Sequence, residues 1–204
     1  MFFSFDGIDG AGKSTQMDLF CDWLVNEKGK EVVRCREPGG TPLGEKIRDL
    51  LLIQKELRLD LEAEMFLFMA SRSQLVREVI RPSLAAGKVV VCDRFQIASV
   101  VYQGHAGGLD PDQVRQAGEL AVDGTWPDLT FVFHLAPEIA SGRVGDETDR
   151  IESRSDQFLE KVDAGFRQEA ETADIPMELI DATLSIEEIQ LQLRSMAESL
   201  MSRI

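Results

Sequence analysis

Cysteine, histidine and tyrosine are scarce in this 204-residue chain, at three, two and one. The three cysteines, Cys21, Cys35 and Cys92, stand at wide and unpatterned spacings. That excludes a disulfide framework and a Cys/His zinc site as organising features. Cys35 and Cys92 fall inside apolar runs and read as small buried hydrophobes. Long hydrophobic runs are also missing: no stretch approaches the roughly 18 apolar residues of a membrane span. Met1-Phe2-Phe3-Ser4-Phe5-Asp6 lacks the basic start and apolar length of a signal peptide. A soluble, reducing, cytoplasmic setting with no membrane partner is expected. Positive charge is the third shortage, with 22 Lys+Arg against 36 Asp+Glu and a net charge of −14. No nucleic-acid partner is expected, because phosphate backbones demand clustered Lys and Arg. A small anionic ligand is not, since local charge can oppose the global sign.

What is present is globular. Apolar residues make up 44% of the chain, enough for one sizeable core, and the length predicts a single domain over 1–204. Short apolar runs alternate with helical patterns. Phe2 to Phe5 reads as a first strand, Glu31 to Cys35 as a second, and Lys88 to Cys92 as a third. Leu129 to Leu135 and Met177 to Ile180 read as a fourth and fifth. Leu19, Phe20, Trp23 and Leu24 recur at helical spacing and predict a helix from Lys13 to Glu27, ended by Gly29. A long helical stretch from Asp60 to Ala86 carries Phe66, Met69 and Val76 among its apolar positions, and Ile186 to Met201 is the last helix. Strands alternating with helices imply parallel pairing through crossovers. The expected fold is α/β: a doubly wound three-layer sandwich around a five-stranded parallel sheet. In such folds ligands sit beyond the carboxyl ends of the strands.

The segment after the first strand is Gly7-Ile8-Asp9-Gly10-Ala11-Gly12-Lys13-Ser14, then Thr15. It fits G-x-x-x-x-G-K-[ST] without mismatch, between a strand and an amphipathic helix. Glycines let the backbone wrap a phosphate, and the helix N-terminus adds partial positive charge. Lys13 is placed to reach β- and γ-phosphates, and the Ser14 hydroxyl to hold Mg²⁺. The fold is therefore expected to be of the P-loop NTPase type, with a loop shared by GTPases, ATP-driven motors and small-molecule kinases. A guanine-reading N-K-x-D is missing; the nearest string, Asn26-Glu27-Lys28-Gly29, lacks the Asp. The third strand ends in Asp93-Arg94. Asp93 is placed beside the P-loop to help position Mg²⁺, and Arg94 to grip an anion bidentately.

Longer motifs are more specific. They are Arg36-Glu37-Pro38-Gly39-Gly40-Thr41-Pro42-Leu43-Gly44, Glu64-Met65-Phe66-Leu67-Phe68-Met69-Ala70-Ser71-Arg72, Asp93-Arg94-Phe95-Gln96-Ile97-Ala98-Ser99-Val100-Val101-Tyr102-Gln103-Gly104 and Asp149-Arg150-Ile151-Glu152. In this order, from Phe5 to about Thr183, the chain resembles the thymidylate kinases, nucleoside-monophosphate kinases that make dTDP from dTMP with ATP. The resemblance implies ATP and dTMP as substrates, Mg²⁺ as cofactor and a homodimer. It implies that Phe68 stacks on thymine and that Arg72, a helical turn on, donates to a thymine carbonyl. Arg94 would hold the dTMP phosphate, with Arg36 assisting, and Pro38 would shape the thymine wall. Arg48 resembles an Arg that approaches the base, although its chemistry equally suits an exposed helix charge. Asp9 resembles an acid that accepts from the sugar 3′-hydroxyl. Ser99 and Gln103 would lie at the thymine edge, and Tyr102 would crowd the place of a ribose 2′-hydroxyl.

Transfer between two phosphorylated substrates needs cations and exclusion of water. The polar, Gly-containing stretch 141–152 reads as a small lid. Where some relatives carry an Arg in the P-loop, this chain has Gly10, so the lid should supply the cation. It carries only Arg143 and Arg150. Arg143 is either catalytic or stacks on adenine; Arg150 is either the transition-state cation or an ion-pair partner of Asp149 and Glu152. Another nucleotide or nucleoside kinase, or a non-catalytic nucleotide-binding regulator, are the rival readings.

Overall fold

In the computed structural model, which describes residues 1–143, 156–172 and 174–203, five strands form one sheet. They are β1 (Phe2–Gly7), β2 (Val32–Arg36), β3 (Val89–Asp93), β4 (Leu129–His134) and β5 (Met177–Asp181). Their order is β2-β3-β1-β4-β5, and every neighbouring pair is parallel. Alternation along the strands decides how the sheet is covered. Phe3 and Phe5 of β1 join Val89, Val91, Phe131 and Phe133 in one core. Phe2, Val90 and Cys92 pack on the opposite side. A parallel sheet apolar on both faces needs helices on both.

The helices are α1 (Lys13–Asn26), α2 (Pro42–Arg48), α3 (Leu61–Leu75), α4 (Arg81–Ala85), α5 (Gln96–Ser99), α6 (Pro111–Val122), α7 (Pro137–Ser141), α8 (Asp156–Thr172) and α9 (Ile186–Met201). α1 and α9 cover the Phe3/Phe5 face through Phe20, Trp23, Leu24, Ile189 and Leu193. Polar bonds lock this pair: Gln16 Nε2 donates to the Ile186 carbonyl at 3.2 Å, and Gln190 Nε2 to the Gln16 carbonyl at 2.8 Å. Residues of α3, α6 and α8, including Met65, Val114 and Phe166, build the core on the other face. The doubly wound architecture is the one predicted.

The differences are local. Each strand's boundary shifts by one or two residues, and β1 runs on to Gly7. The stretch 60–86 is helical from Leu61 to Ala85, but Val76–Ile80, between α3 and α4, is wound more widely with i→i+5 spacing. Of the apolar positions in that stretch, Met69 and Val76 are buried and Phe66 is 61% exposed. Ser99 ends α5, and Gln103 lies in a second widely wound segment, Val100–His105. Most of the expected lid, including Arg150, lies outside the described residues. Among the described residues, no helix is long and apolar enough to cross a membrane.

The rings of Phe3, Phe5, Phe20 and Phe131 meet with centroids 5.2 to 6.0 Å apart. Phe131 is fully buried at their centre. Phe131→Ala should therefore destabilise the fold by about 3–5 kcal/mol in urea denaturation, and a loss below about 1 kcal/mol would contradict this packing.

Candidate active site

Sheet order brings the chemistry together. β1 lies beside β3 with Phe5 opposite Asp93, so the loop after β1 and the segment after β3 open into one crevice at the carboxyl edge. A cavity of about 750 Å³ occupies that crevice, the size of a small-ligand site.

Gly7 leaves β1 with φ +129°, and a Cβ there would lie 2.2 Å from the Phe133 carbonyl oxygen. Only glycine turns the chain this close to β4. Gly12, at φ +83°, caps α1, whose first turn has no acidic side chain. The positive end of the helix is thus left for an anion. Asp9, Gly10, Ala11, Gly12, Lys13, Ser14 and Thr15 line the cavity. Gly7 and Ile8 do not, contrary to expectation. The Ile8 side chain is buried in the α1-side core, and these two residues offer only carbonyls: that of Ile8 accepts from Lys13 Nζ at 2.8 Å, and that of Gly7 from Arg94 Nη1 at 2.9 Å.

Asp9 joins two cations. Arg94 Nη2 donates to Asp9 Oδ1 and Oδ2 at 2.6 and 2.7 Å, and Lys13 Nζ lies 3.2 Å from Oδ1. Burial opposes the Asp9 charge, but Arg94 and then Lys13 overcome it and hold the carboxyl well below the usual range. Burial, and then repulsion from Arg94, push the Lys13 ammonium down, with Asp9 opposing. Arg94 has φ +66°, a backbone state uncommon for a side chain of this size. Its amide donates to the Phe5 carbonyl at 2.9 Å, and its guanidinium lies 5.0 Å from the Tyr102 ring centroid.

The opposite wall carries Arg36, Pro38, Arg48, Phe68, Arg72, Ser99, Tyr102 and Gln103. Phe68 is half-buried there. Arg36 is half-exposed and donates to Glu45 at 2.9 Å. Arg48 turns inward and donates to the Pro38 carbonyl at 2.8 Å. Gln103 donates to Glu64 at 3.1 Å. Arg72 differs from the simple expectation of a free donor: it is 1% exposed, and all its N–H groups meet acceptors of the protein. Beside the loop after β5, Arg143 Nη1 reaches the Ala182 carbonyl at 3.4 Å, and both residues line the cavity.

Comparison with known proteins agrees with this geometry. The family model described as Thymidylate kinase matches residues 5–193. The chain belongs to the thymidylate kinase family. It is 47% identical over 192 residues to the thymidylate kinase of an Exiguobacterium species, covering 93% of this chain and 90% of that one. It is 42% identical to that of Symbiobacterium thermophilum, covering 100% and 95%. The crystal structure of thymidylate kinase from Ehrlichia chaffeensis superposes with a TM-score of 0.78 at 32% identity, covering 97% and 98%.

Three residues of this thymidylate kinase site were not predicted. Asp6 is fully buried, accepts from Ser4 Oγ, and accepts from the Phe95 amide at 3.3 Å; burial raises its pKa. Its signal was the alternation of Ser4 and Asp6 with Phe3 and Phe5. Glu37 and Gln96 line or back the cavity wall around Arg72. Burial pushes the Glu37 carboxyl up to about 7, with Arg72 pulling the other way. No local spacing announces either residue.

Among the described residues the hydrogen bonds of Lys13 go to Ile8 and Asp9 of the P-loop, so its removal should spare the acceptor wall. Lys13→Ala should lower kcat about 10²–10³-fold in a coupled ADP assay while dTMP binding persists. Turnover within about threefold of wild type would contradict the placement.

Proposed function

We propose that this enzyme transfers the γ-phosphoryl group of ATP to dTMP, giving dTDP and ADP. The observation that carries the reading is a single cavity with a P-loop at one end and Arg94, Phe68 and Tyr102 at the other, joined through Asp9. ATP phosphates lie along 9–15, against the amides at the start of α1 and Lys13. The dTMP base stacks on Phe68, and its phosphate takes Arg94. Asp9, released by that phosphate, accepts from the sugar 3′-hydroxyl. A dTMP phosphate oxygen then attacks the γ-phosphorus in line, and the bond to the β,γ-bridging oxygen breaks. No phosphoenzyme is needed, because binding both partners in one cavity supplies the proximity.

Charge is the obstacle. Each pair of unit charges 4 Å apart costs about 4 kcal/mol at an effective dielectric of about 20. Lys13 and Arg94 offset part of this on either side of the transferred group. Arg143, beside Ala182, covers the adenine side, and Arg150 supplies the remaining cation. The residues present also suit Mg²⁺. Asp93 Oδ1 is buried with no hydrogen-bond partner among the described residues, and the Ser14 side chain is exposed at the head of α1. Carboxylate and hydroxyl oxygens are hard donors, and the ion's other ligands come from nucleotide phosphates and water. When bound, Mg²⁺ neutralises developing phosphate charge.

Tyr102 is 7% exposed and braced by Phe158 and Phe166, with ring centroids 6.2 and 6.0 Å away. A braced ring cannot yield to an added 2′-hydroxyl, which favours deoxyribose. The enzyme acts as a homodimer in this reading. Phe66 on α3 and Leu120 on α6, exposed at 61% and 81% on helices that pack together, are apolar groups for a second copy to cover.

Coupled assays across nucleoside monophosphates test the substrate: kcat/KM for dTMP should exceed that for UMP and AMP by at least about 10²-fold. Comparable values would point to a general monophosphate kinase, and ATP and dTMP binding without dTDP formation would point to a regulator. Tyr102→Ala should relax rejection of the ribonucleotide analogue about tenfold; unchanged discrimination would refute the crowding argument.

A further inference from the structure

We propose that Glu37 is a positioning residue for base recognition: together with Gln96 it clamps Arg72 so that the Nη2 edge of the guanidinium is presented to the cavity. The inference rests on the proposed dTMP reading, in which Arg72, as the family resemblance implies, donates to a thymine carbonyl.

A guanidinium has five N–H donors in a rigid plane, so fixing two edges fixes the third. Nε donates to Glu37 Oε2 at 2.5 Å. Nη1 donates to Gln96 Oε1 and to the Met69 sulfur, the latter at 3.3 Å. Nη2 donates to the Phe95 carbonyl at 3.2 Å and to Ser99 Oγ at 3.0 Å. These partners divide by position. Glu37, Phe95 and Ser99 line the cavity, whereas Met69 and Gln96 do not. The edge shared by Nε and Nη2 is therefore the one on the cavity side, and Glu37 occupies Nε, which leaves Nη2. One of its acceptors is a hydroxyl that can rotate and share the donor with a base carbonyl.

The anchors are themselves held. The Glu37 amide donates to the Asp93 carbonyl at 2.9 Å. Gln96 Nε2 donates to the Val114 carbonyl at 3.2 Å, which turns its oxygen toward Arg72. Gly118 on α6 makes the seat for Gln96, since a Cβ there would fall 1.7 Å from Gln96 Nε2. Four separate segments thus converge to orient one side chain. Arg72 and Glu37 side chains are 1% and 3% exposed. A buried ion pair stabilises little against apolar packing of the same volume, so fold stability alone gives no reason for one in a ligand wall. Orientation of a donor does.

The test is steady-state kinetics of Glu37→Gln and Glu37→Ala in the full chain, with dTMP and with dCMP. The cytosine base carries an amino group where thymine carries a carbonyl. Gln keeps an acceptor for Nε without the charge, and Ala keeps neither. Glu37→Gln should raise KM for dTMP about tenfold and Glu37→Ala about 100-fold, with kcat within about threefold and KM for ATP unchanged. Discrimination against dCMP should fall about tenfold in Glu37→Gln. If Glu37→Ala does not fold, Glu37→Gln alone carries the test. An unchanged dTMP KM and unchanged base discrimination, even with a lowered melting temperature, would overturn the clamp and leave Glu37 a structural residue. A wild-type enzyme without dTMP turnover would instead overturn the underlying reading, and the clamp with it.

Discussion

One carboxylate between two cations organises the active site. Asp9 receives Arg94 through both oxygens and Lys13 through one. Lys13 opens α1 and Arg94 follows β3, and their charges would repel across a partly buried crevice. Asp93 and the buried Asp6 also face these cations, but Asp9 is the carboxylate bonded to both, and it holds them at hydrogen-bond distance. Bound phosphates can then take over from Asp9, so the same groups serve the ligand-free and the liganded states. The net charge of −14 makes this local arrangement more significant. The surface field does not favour anions, and the crevice has to supply its own attraction.

The sheet makes that arrangement possible. Placing β1 between β3 and β4 puts the P-loop next to Arg94, and the aromatic core beneath β1 resists any shift between strands. Backbone strain sits at this same place. Gly7 approaches β4 more closely than a side chain allows, and Arg94 adopts a left-handed backbone held by the Phe5 carbonyl. The wide turn carrying Tyr102 and Gln103 is a third irregularity on the cavity wall, in keeping with the use of such turns at functional sites.

Much of this was legible in the sequence, for identifiable reasons. The P-loop is a contiguous motif whose chemistry is mostly backbone, so spacing alone specifies it. Asp93-Arg94 follows a β-branched strand, and strand ends are where α/β proteins place ligands. The Arg72 network was not legible. Its members lie at positions 37, 72, 96 and 118, on elements whose meeting depends on the whole tertiary fold. Gly118 gives no hint by itself that it seats a glutamine. The exposure of Phe66 was not legible either, because helical periodicity assigns an apolar face without saying where that face ends. The wider winding of Val76–Ile80 within the predicted helical stretch has no local signature beyond Pro82.

The central claim is that the acceptor phosphate depends on Arg94 and the donor phosphates on the P-loop, as two separable ends of one cavity. Calorimetric titration of Arg94→Ala with dTMP and, separately, with ATP tests it most directly. The account predicts that dTMP affinity falls at least about 100-fold while ATP affinity stays within about threefold. Retained dTMP affinity, or an equal loss for both ligands, would contradict it.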